Sequence, residues 1–137
     1  MATETERALR SMIRKGTVCD INPATMAVRV EFNDKDSLPS AELPVLSRGG
    51  GGNKDYWLPD VGDQVVCIFE NNDINASSGW VLGTYFTEKH PPQVADKEIR
   101  RIDFGDGSCI EFNRAEGSLK IQCTGAITIN GSTINLN

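Results

Sequence analysis

The chain has 137 residues, and its 19 acidic residues outnumber its 14 basic ones, for a formal net charge of −5. This balance disfavours a general affinity for nucleic acid, because proteins that bind phosphate backbones usually carry a basic face. The length suits one compact domain plus an appendage. The four cysteines are widely spaced and form no CxxC pair or disulfide framework. No apolar run resembles a signal peptide or a transmembrane helix, so we expect synthesis in the bacterial cytoplasm.

The first predicted element is a short amphipathic helix over residues 4–15, within an N-terminal segment that we assign to residues 1–15. Ala8, Leu9, Met12 and Ile13 recur at helical spacings among Glu and Arg, and Gly16 follows as a stop signal. We expect this helix to pack against a larger body.

Five strand-like runs follow, at residues 17–21, 26–32, 43–46, 64–69 and 80–86. Asn22-Pro23-Ala24-Thr25 predicts a turn that joins the first two runs in a hairpin. Residues 47–60 form a long loop in which four glycines precede the aromatic anchor Tyr56-Trp57. Five short strands of this kind most simply close into a small barrel, which we assign to residues 16–88.

The remainder of the chain is predicted to be a linker at residues 89–98 and a strand-rich segment at residues 99–137. Pro91 and Pro92 stop regular structure, and a hairpin follows at 99–104 and 108–112. Beyond it, apolar and polar residues alternate in bursts that begin at Leu119, Ile127 and Ile134. So few strands cannot bury themselves, and their open edges favour pairing with other copies of the chain.

An ordered set of motifs carries a family resemblance. It includes ALRSMIRKGTV at residues 8–18, YWLPDVGDQV at 56–65, GWVLGTY at 79–85, and FGDG at 104–107 before Ile110-Glu111-Phe112. In this order and spacing the motifs resemble baseplate assembly protein V, the central spike family of contractile tails, over nearly the whole chain.

The resemblance implies an all-β fold: an OB-fold barrel with a short N-terminal helix, followed by a C-terminal trimeric intertwined β-helix. It implies a homotrimeric structural spike, without catalytic residues or cofactor, in the baseplate of a virion or tail-like particle. Its neighbours would be baseplate or tail-tube hub proteins, with the helix and residues 47–60 as candidate contacts. Contact with the bacterial outer membrane would be transient, as sheath contraction drives the spike through it.

The inward-facing residues of such a shaft are expected to form a dry core along its axis, because neighbouring chains satisfy the backbone hydrogen bonds. The candidates for this trimer core are Ile110, Phe112, Leu119, Ile121, Cys123, Ile127, Ile129, Ile134 and Leu136.

A metal ion is not expected in this chain. Many spikes of the family end in a His-x-His pair that binds iron, whereas the only histidine here is His90, before two prolines. This departure from the family pattern predicts a blunt apex. Our hypothesis is that its exposed last strand edges accept a separate tip protein of the PAAR-repeat type. The carboxylate pairs Asp60/Asp63 and Asp103/Asp106 are predicted to be solvated turn residues.

The alternative function is an OB-fold module that binds single-stranded nucleic acid or oligosaccharide through its open face. Arg29 and Phe32 on the early strands suit such a ligand, but the acidic residues around them do not; these are Glu31, Asp34, Asp36 and Glu42. Trp57 and Trp80 could stack on a base or sugar, although packing in a core or subunit contact is favoured. An enzyme is a third class of function, but once the barrel and the strand-rich segment are assigned, no residues remain to form a separate catalytic domain.

Overall fold

The structure is a computed structural model that describes residues 3–32, 38–70 and 76–137. The chain divides into two compact units, Met1–His90 and Pro91–Asn137. The first unit contains α1 (Glu4–Met12), β1 (Ile13–Asn22), β2 (Ala27–Phe32), β3 (Leu43–Pro44), β4 (Gln64–Phe69) and β5 (Gly79–Thr84). The second contains β6 (Ile99–Asp103), β7 (Cys109–Asn113) and β8 (Ser118–Gln122). Within the described residues, no helix has the length and apolar character needed to cross a membrane.

Helix α1 begins with a capping box. The Thr3 side chain accepts a hydrogen bond from the Glu6 backbone N–H at 3.1 Å, and the Glu6 carboxylate accepts one from the Thr3 N–H at 3.4 Å. These reciprocal bonds satisfy backbone donors that have no partner within the helix.

The predicted end of the helix at residue 15 is wrong, because the helix ends at Met12. Ile13 has extended backbone angles and pairs with Ile68 of β4, so the β-branched residue begins a strand. Arg14 follows on β1, and its guanidinium lies 4.4 Å from the centroid of the Phe69 ring. Sheet pairing and this cation–π contact therefore compete successfully with the last turn of the predicted helix.

The five strands of the first unit form one antiparallel sheet in the order β3-β2-β1-β4-β5. Its two outer strands meet where Val45, just after β3, forms a parallel bridge with Val81 of β5. The Leu46 N–H donates to the Val81 carbonyl at 2.9 Å in the same place. The sheet is thus nearly closed on itself, which confirms the predicted small barrel.

The barrel encloses its own core, because alternate residues of β1, β2, β4 and β5 point inward. The rings of Phe32 and Phe69 meet edge to face at 5.8 Å between centroids. The buried cluster consists of Val18, Val28, Val30, Phe32, Leu43, Val65, Cys67, Phe69, Ala76 and Val81.

The predicted strands of the barrel are present with shifted ends. β1 starts four residues before the predicted run, β3 stops at Pro44, and β5 covers Gly79–Thr84 rather than extending to residue 86. The turn at residues 22–25 is confirmed, since the Asn22 side-chain oxygen accepts a hydrogen bond from the Ala24 N–H at 3.1 Å. Asp34 and Asp36, which entered the argument against nucleic acid, lie outside the described residues.

The second unit is an antiparallel three-stranded sheet in the order β6-β7-β8. β6 and β7 form the predicted hairpin, in which Gly107 adopts a φ of +95° and its N–H donates to the Phe104 carbonyl at 3.1 Å. The first predicted burst forms β8, which includes Leu119 and Ile121. Residues 123–137 follow as an exposed tail that pairs with no strand in the described part of the chain, so the intertwined β-helix stays a prediction.

Candidate assembly surface

One face of the β6–β8 sheet is apolar. The strand register places Ile102, Ile110 and Ile121 in one row across the sheet; in the next row Phe112 lies beside Leu119, with Arg100 of β6 at the edge. Their exposed fractions run from 39% for Ile110 to 64% for Leu119. Directly opposed apolar side chains of this kind stabilise a sheet when a second layer covers them. In the single chain this layer is absent from the described residues, and the face is open.

The opposite face of the same sheet carries an ion-paired cluster, beside the half-buried Ile99 and the buried Cys109. Arg101 of β6 lies directly across from Glu111 of β7, and their side chains bond at 2.7 Å. Arg101 also contacts Asp103 at 2.8 Å. The hydrogen bond to Glu111, followed by that to Asp103, raises the pKa of the Arg101 guanidinium above its ordinary value. Since charged groups satisfy one another here, this face suits water and the apolar face suits a partner.

Four of the nine predicted trimer-core residues share the apolar face: Ile110, Phe112, Leu119 and Ile121. Cys123 follows β8 and has an exposed thiol. The tail residues Ile127, Ile129, Ile134 and Leu136 are exposed by 56%, 68%, 52% and 91%. Their burial between chains stays a prediction, because it depends on partner copies.

Sequence reasoning missed two apolar residues of the same surface. Ile102 lies opposite Ile110 with 47% of its surface exposed, and Phe104 follows β6 with 40% exposed. Both belong to the alternating run 99–104, so the period-two pattern already indicated them. A cleft of about 570 Å³ lies at this end of the sheet, and Phe104, Ile110, Ile121 and the tail residue Ile127 all line it.

The barrel exterior carries the aromatic residues that were predicted to pack. The Tyr56 hydroxyl donates to the Pro23 carbonyl at 2.8 Å, which holds the long loop against the β1–β2 turn. Trp57 remains 55% exposed and Trp80 37% exposed, so neither side chain packs in the barrel core. Burial of these two side chains in a subunit contact stays a prediction. Trp80 lies in one row with Ile68 and Ile13 on the outer surface of the barrel.

Phe32 and Arg29, which suited the nucleic-acid alternative, do not form a stacking platform. Phe32 is 8% exposed and packs in the barrel core, so its ring is turned away from any ligand on the open face. The Arg29 guanidinium donates to the Ser40 carbonyl at 3.0 Å. An exposed aromatic beside a free cation is the usual device for binding a single strand, and these two residues do not supply it.

Burial in the barrel explains the shifted pKa values of two cysteine thiols. Burial raises the pKa of the Cys67 thiol to about 11, against an opposing effect of Arg14. Burial also raises the pKa of Cys19.

Asp60 and Asp63 form a local turn, in which the Asp60 N–H donates to the Asp63 carboxylate at 3.0 Å. In the parts of the chain that the structure describes, no three His, Cys, Asp or Glu side chains are grouped as ligands for a metal ion.

Comparison with known proteins assigns the barrel to a family. The model of the family described as type VI secretion system/phage-baseplate injector OB domain matches residues 14–86, which is more than half of the chain. Over 131 residues the chain is also 26% identical to the spike protein of Escherichia phage P2. That alignment covers 94% of this chain and 60% of the phage protein. The matched family region ends in the first unit, whereas the alignment with the phage protein includes the second.

Proposed function

The chain belongs to the family of type VI secretion system and phage-baseplate injector OB domains, and from this premise we propose that it forms the homotrimeric central spike of a contractile injection baseplate. Three barrels form the base of this spike, and three copies of the second unit wrap into a shaft. Sheath contraction drives the shaft through the outer membrane of the target bacterium. The role is mechanical and structural.

The observation that carries this proposal is the two-sided character of the β6–β8 sheet. Its ion-paired face is compatible with water, while the opposite face exposes Ile102, Ile110 and Ile121 in a row. Burying apolar surface is favourable by roughly 25 cal/mol per Å². Three such faces turned toward a common axis would cover one another and leave the charged faces outside.

The tail provides the second support for a shared shaft. Residues 125–137 alternate apolar and polar side chains but form no strand pairs within the described part of this chain. Backbone N–H and C=O groups in a dry core require hydrogen-bond partners, and neighbouring copies are the natural source of them. A shaft paired between chains resists local opening, since one segment cannot unfold without exposing its neighbours. That resistance is what a piercing element needs.

The first unit is proposed to hold the spike in the baseplate. Its candidate contacts with the hub are α1 and the loop over residues 47–60. The glycine segment of this loop is ordered as a small hairpin, in which the Asp55 N–H donates to the Gly49 carbonyl at 3.1 Å. A separate PAAR-type tip protein at the far end of the shaft remains a prediction.

Matched lysine variants on the two faces of β8 test the proposal. Leu119→Lys with Ile121→Lys places two charges on the apolar face, and Ser118→Lys with Gln122→Lys places the same two charges on the opposite face; all four positions are exposed in the single chain. We expect the first pair to abolish the trimer, because buried unpaired ammonium groups are strongly unfavourable, and the second to leave it intact. Light scattering gives the mass of each variant. Equal effects of the two pairs would contradict an apolar trimer core.

A further inference from the structure

The turn between β6 and β7 is built around Asp106. One oxygen of its carboxylate accepts a hydrogen bond from the Ser108 N–H at 2.9 Å. Gly107 in the same turn has a φ of +95°, which a residue with a side chain rarely adopts. These features fix the direction of the Asp106 side chain relative to the sheet.

The tail leaves the sheet at Thr124, and two hydrogen bonds tie Thr124 to this turn. The Thr124 hydroxyl donates to the second carboxylate oxygen of Asp106 at 2.9 Å, and the Thr124 N–H donates to the Ser108 hydroxyl at 3.2 Å. The pKa of Asp106 lies below its ordinary value, mainly because the Ser108 N–H and then the Thr124 hydroxyl donate to it. An ionised carboxylate only accepts hydrogen bonds, so the hydroxyl is held as the donor.

The consequence of this arrangement appears three residues further along the tail. Ile127 lines the same cleft as Phe104, Ile110 and Ile121. The start of the tail therefore brings Ile127 to the same cleft as apolar residues of β7 and β8. Without the bonds at Thr124, the tail would leave β8 in many directions, since residues 123–137 have no strand partner among the described residues.

We propose that Asp106 and Thr124 form a clasp that positions the tail for assembly with two further copies of this chain. The two side chains act as positioning residues: they order the start of the tail before the copies meet, which lowers the entropic cost of wrapping. The inference rests on the proposed spike function, since the clasp matters for assembly only if the copies assemble.

A series of substitutions at Thr124 tests the clasp in the full chain. Thr124→Val keeps the size of the side chain and removes the hydroxyl donor, whereas Thr124→Ser keeps the donor. Thr128→Val is the matched control, because it makes the same chemical change at an exposed tail residue beyond the clasp. The measurements are the concentration at which the trimer dissociates and the hydrogen exchange rates of the backbone amides in residues 125–129.

We expect Thr124→Val to raise the dissociation concentration and to speed the exchange of these amides by about fivefold or more, the effect of losing one net hydrogen bond. Thr124→Ser and Thr128→Val should both behave like the wild type. Asp106→Ala should cost at least as much as Thr124→Val, because it also removes the acceptor of the Ser108 N–H. Adding Thr124→Val to Asp106→Ala should change little further, since the bond between the two side chains is already lost.

The outcomes separate this inference from the proposed function. A wild-type trimer in which Thr124→Val behaves like Thr128→Val would overturn the clasp and leave the spike proposal standing. Equal losses in Thr124→Val and Thr124→Ser would also overturn it, because the hydroxyl would then not be the cause. A wild-type monomer would refute the spike proposal and the clasp together, and it would be seen before any variant is made.

Discussion

The two units of this chain solve the problem of burying apolar residues in different ways. The barrel turns the alternate residues of its strands inward and buries a cluster that includes Val28, Val65 and Phe69. In residues 91–137, by contrast, Ser108 and Cys109 are the buried residues, and the large apolar side chains remain exposed. Apolar residues on one side of the strands thus form a buried core in the first unit, whereas in the second unit they form an exposed sheet face. The barrel has a core of its own, whereas in the proposed spike the second unit would obtain its core from other copies.

The largest effect that should separate the units comes from removing one phenylalanine ring from each. Phe69 is 2% exposed and Phe112 is 41% exposed. We expect Phe69→Ala to lower the free energy of unfolding of the barrel by about 3–5 kcal/mol, through lost contacts and a cavity. Phe112→Ala should leave the barrel unchanged and weaken the trimer. Urea titrations at several protein concentrations distinguish these effects, and a barrel that responds equally to both substitutions would contradict the division.

An intermediate effect is expected from adding a methyl group to one glycine of β5. A Cβ at Gly79 would lie 2.5 Å from the Ile68 carbonyl oxygen, whereas one at Gly83 would meet nothing within 4 Å. Gly79→Ala should therefore destabilise the barrel by about 1–3 kcal/mol through overpacking. Gly83→Ala is the control on the same strand and should be close to neutral. Thermal unfolding checks the pair, and similar losses in both variants would count against the tight packing of Gly79.

A smaller effect depends on pH and should be confined to the barrel. Burial raises the pKa of the Cys67 thiol from 9.0 to about 11. The unfolded state then releases a proton between these values while the folded state keeps it, so stability present below pH 9 is lost as the pH rises toward 11. We expect a loss of about 1–2 kcal/mol, discounted from the full shift for partial solvation. Cys67→Ala should flatten this part of the pH dependence, and an unchanged slope would contradict the assignment to Cys67.

Much of the barrel could be predicted from the sequence, because its strands are short runs rich in apolar and β-branched residues and its turns carry clear signals. The five runs, the turn at residues 22–25 and the hairpin around Asp106 all follow from local patterns. The end of α1 could not be predicted, since Ile13 suits a helix face as well as a strand. Its pairing with Ile68, far along the chain, decides the outcome. The predicted start of the helix at residue 4 is confirmed, and the capping box of Thr3 and Glu6 lies there.

The apolar residues of the candidate assembly surface could be predicted from the sequence, whereas the hydrogen bond between Asp106 and Thr124 could not. Alternation alone identifies Ile110, Phe112, Leu119 and Ile121 as one face, and the strand register agrees. The clasp between Asp106 and Thr124 could not be foreseen, because a carboxylate in a turn usually bonds its own neighbours. Its second bond crosses to residue 124 only after β8 has brought the chain back beside the turn. In the proposed spike, the order of the tail beyond Thr124 would depend on other copies, which a single sequence does not contain.

The solution mass of the intact chain tests the central claim most directly. Light scattering should give three times the chain mass of 15.0 kDa, and truncation after Gln93 should leave a folded barrel with a lost or weakened trimer. A well-folded monomer of the full chain would contradict the account and would favour the OB-fold binding module instead.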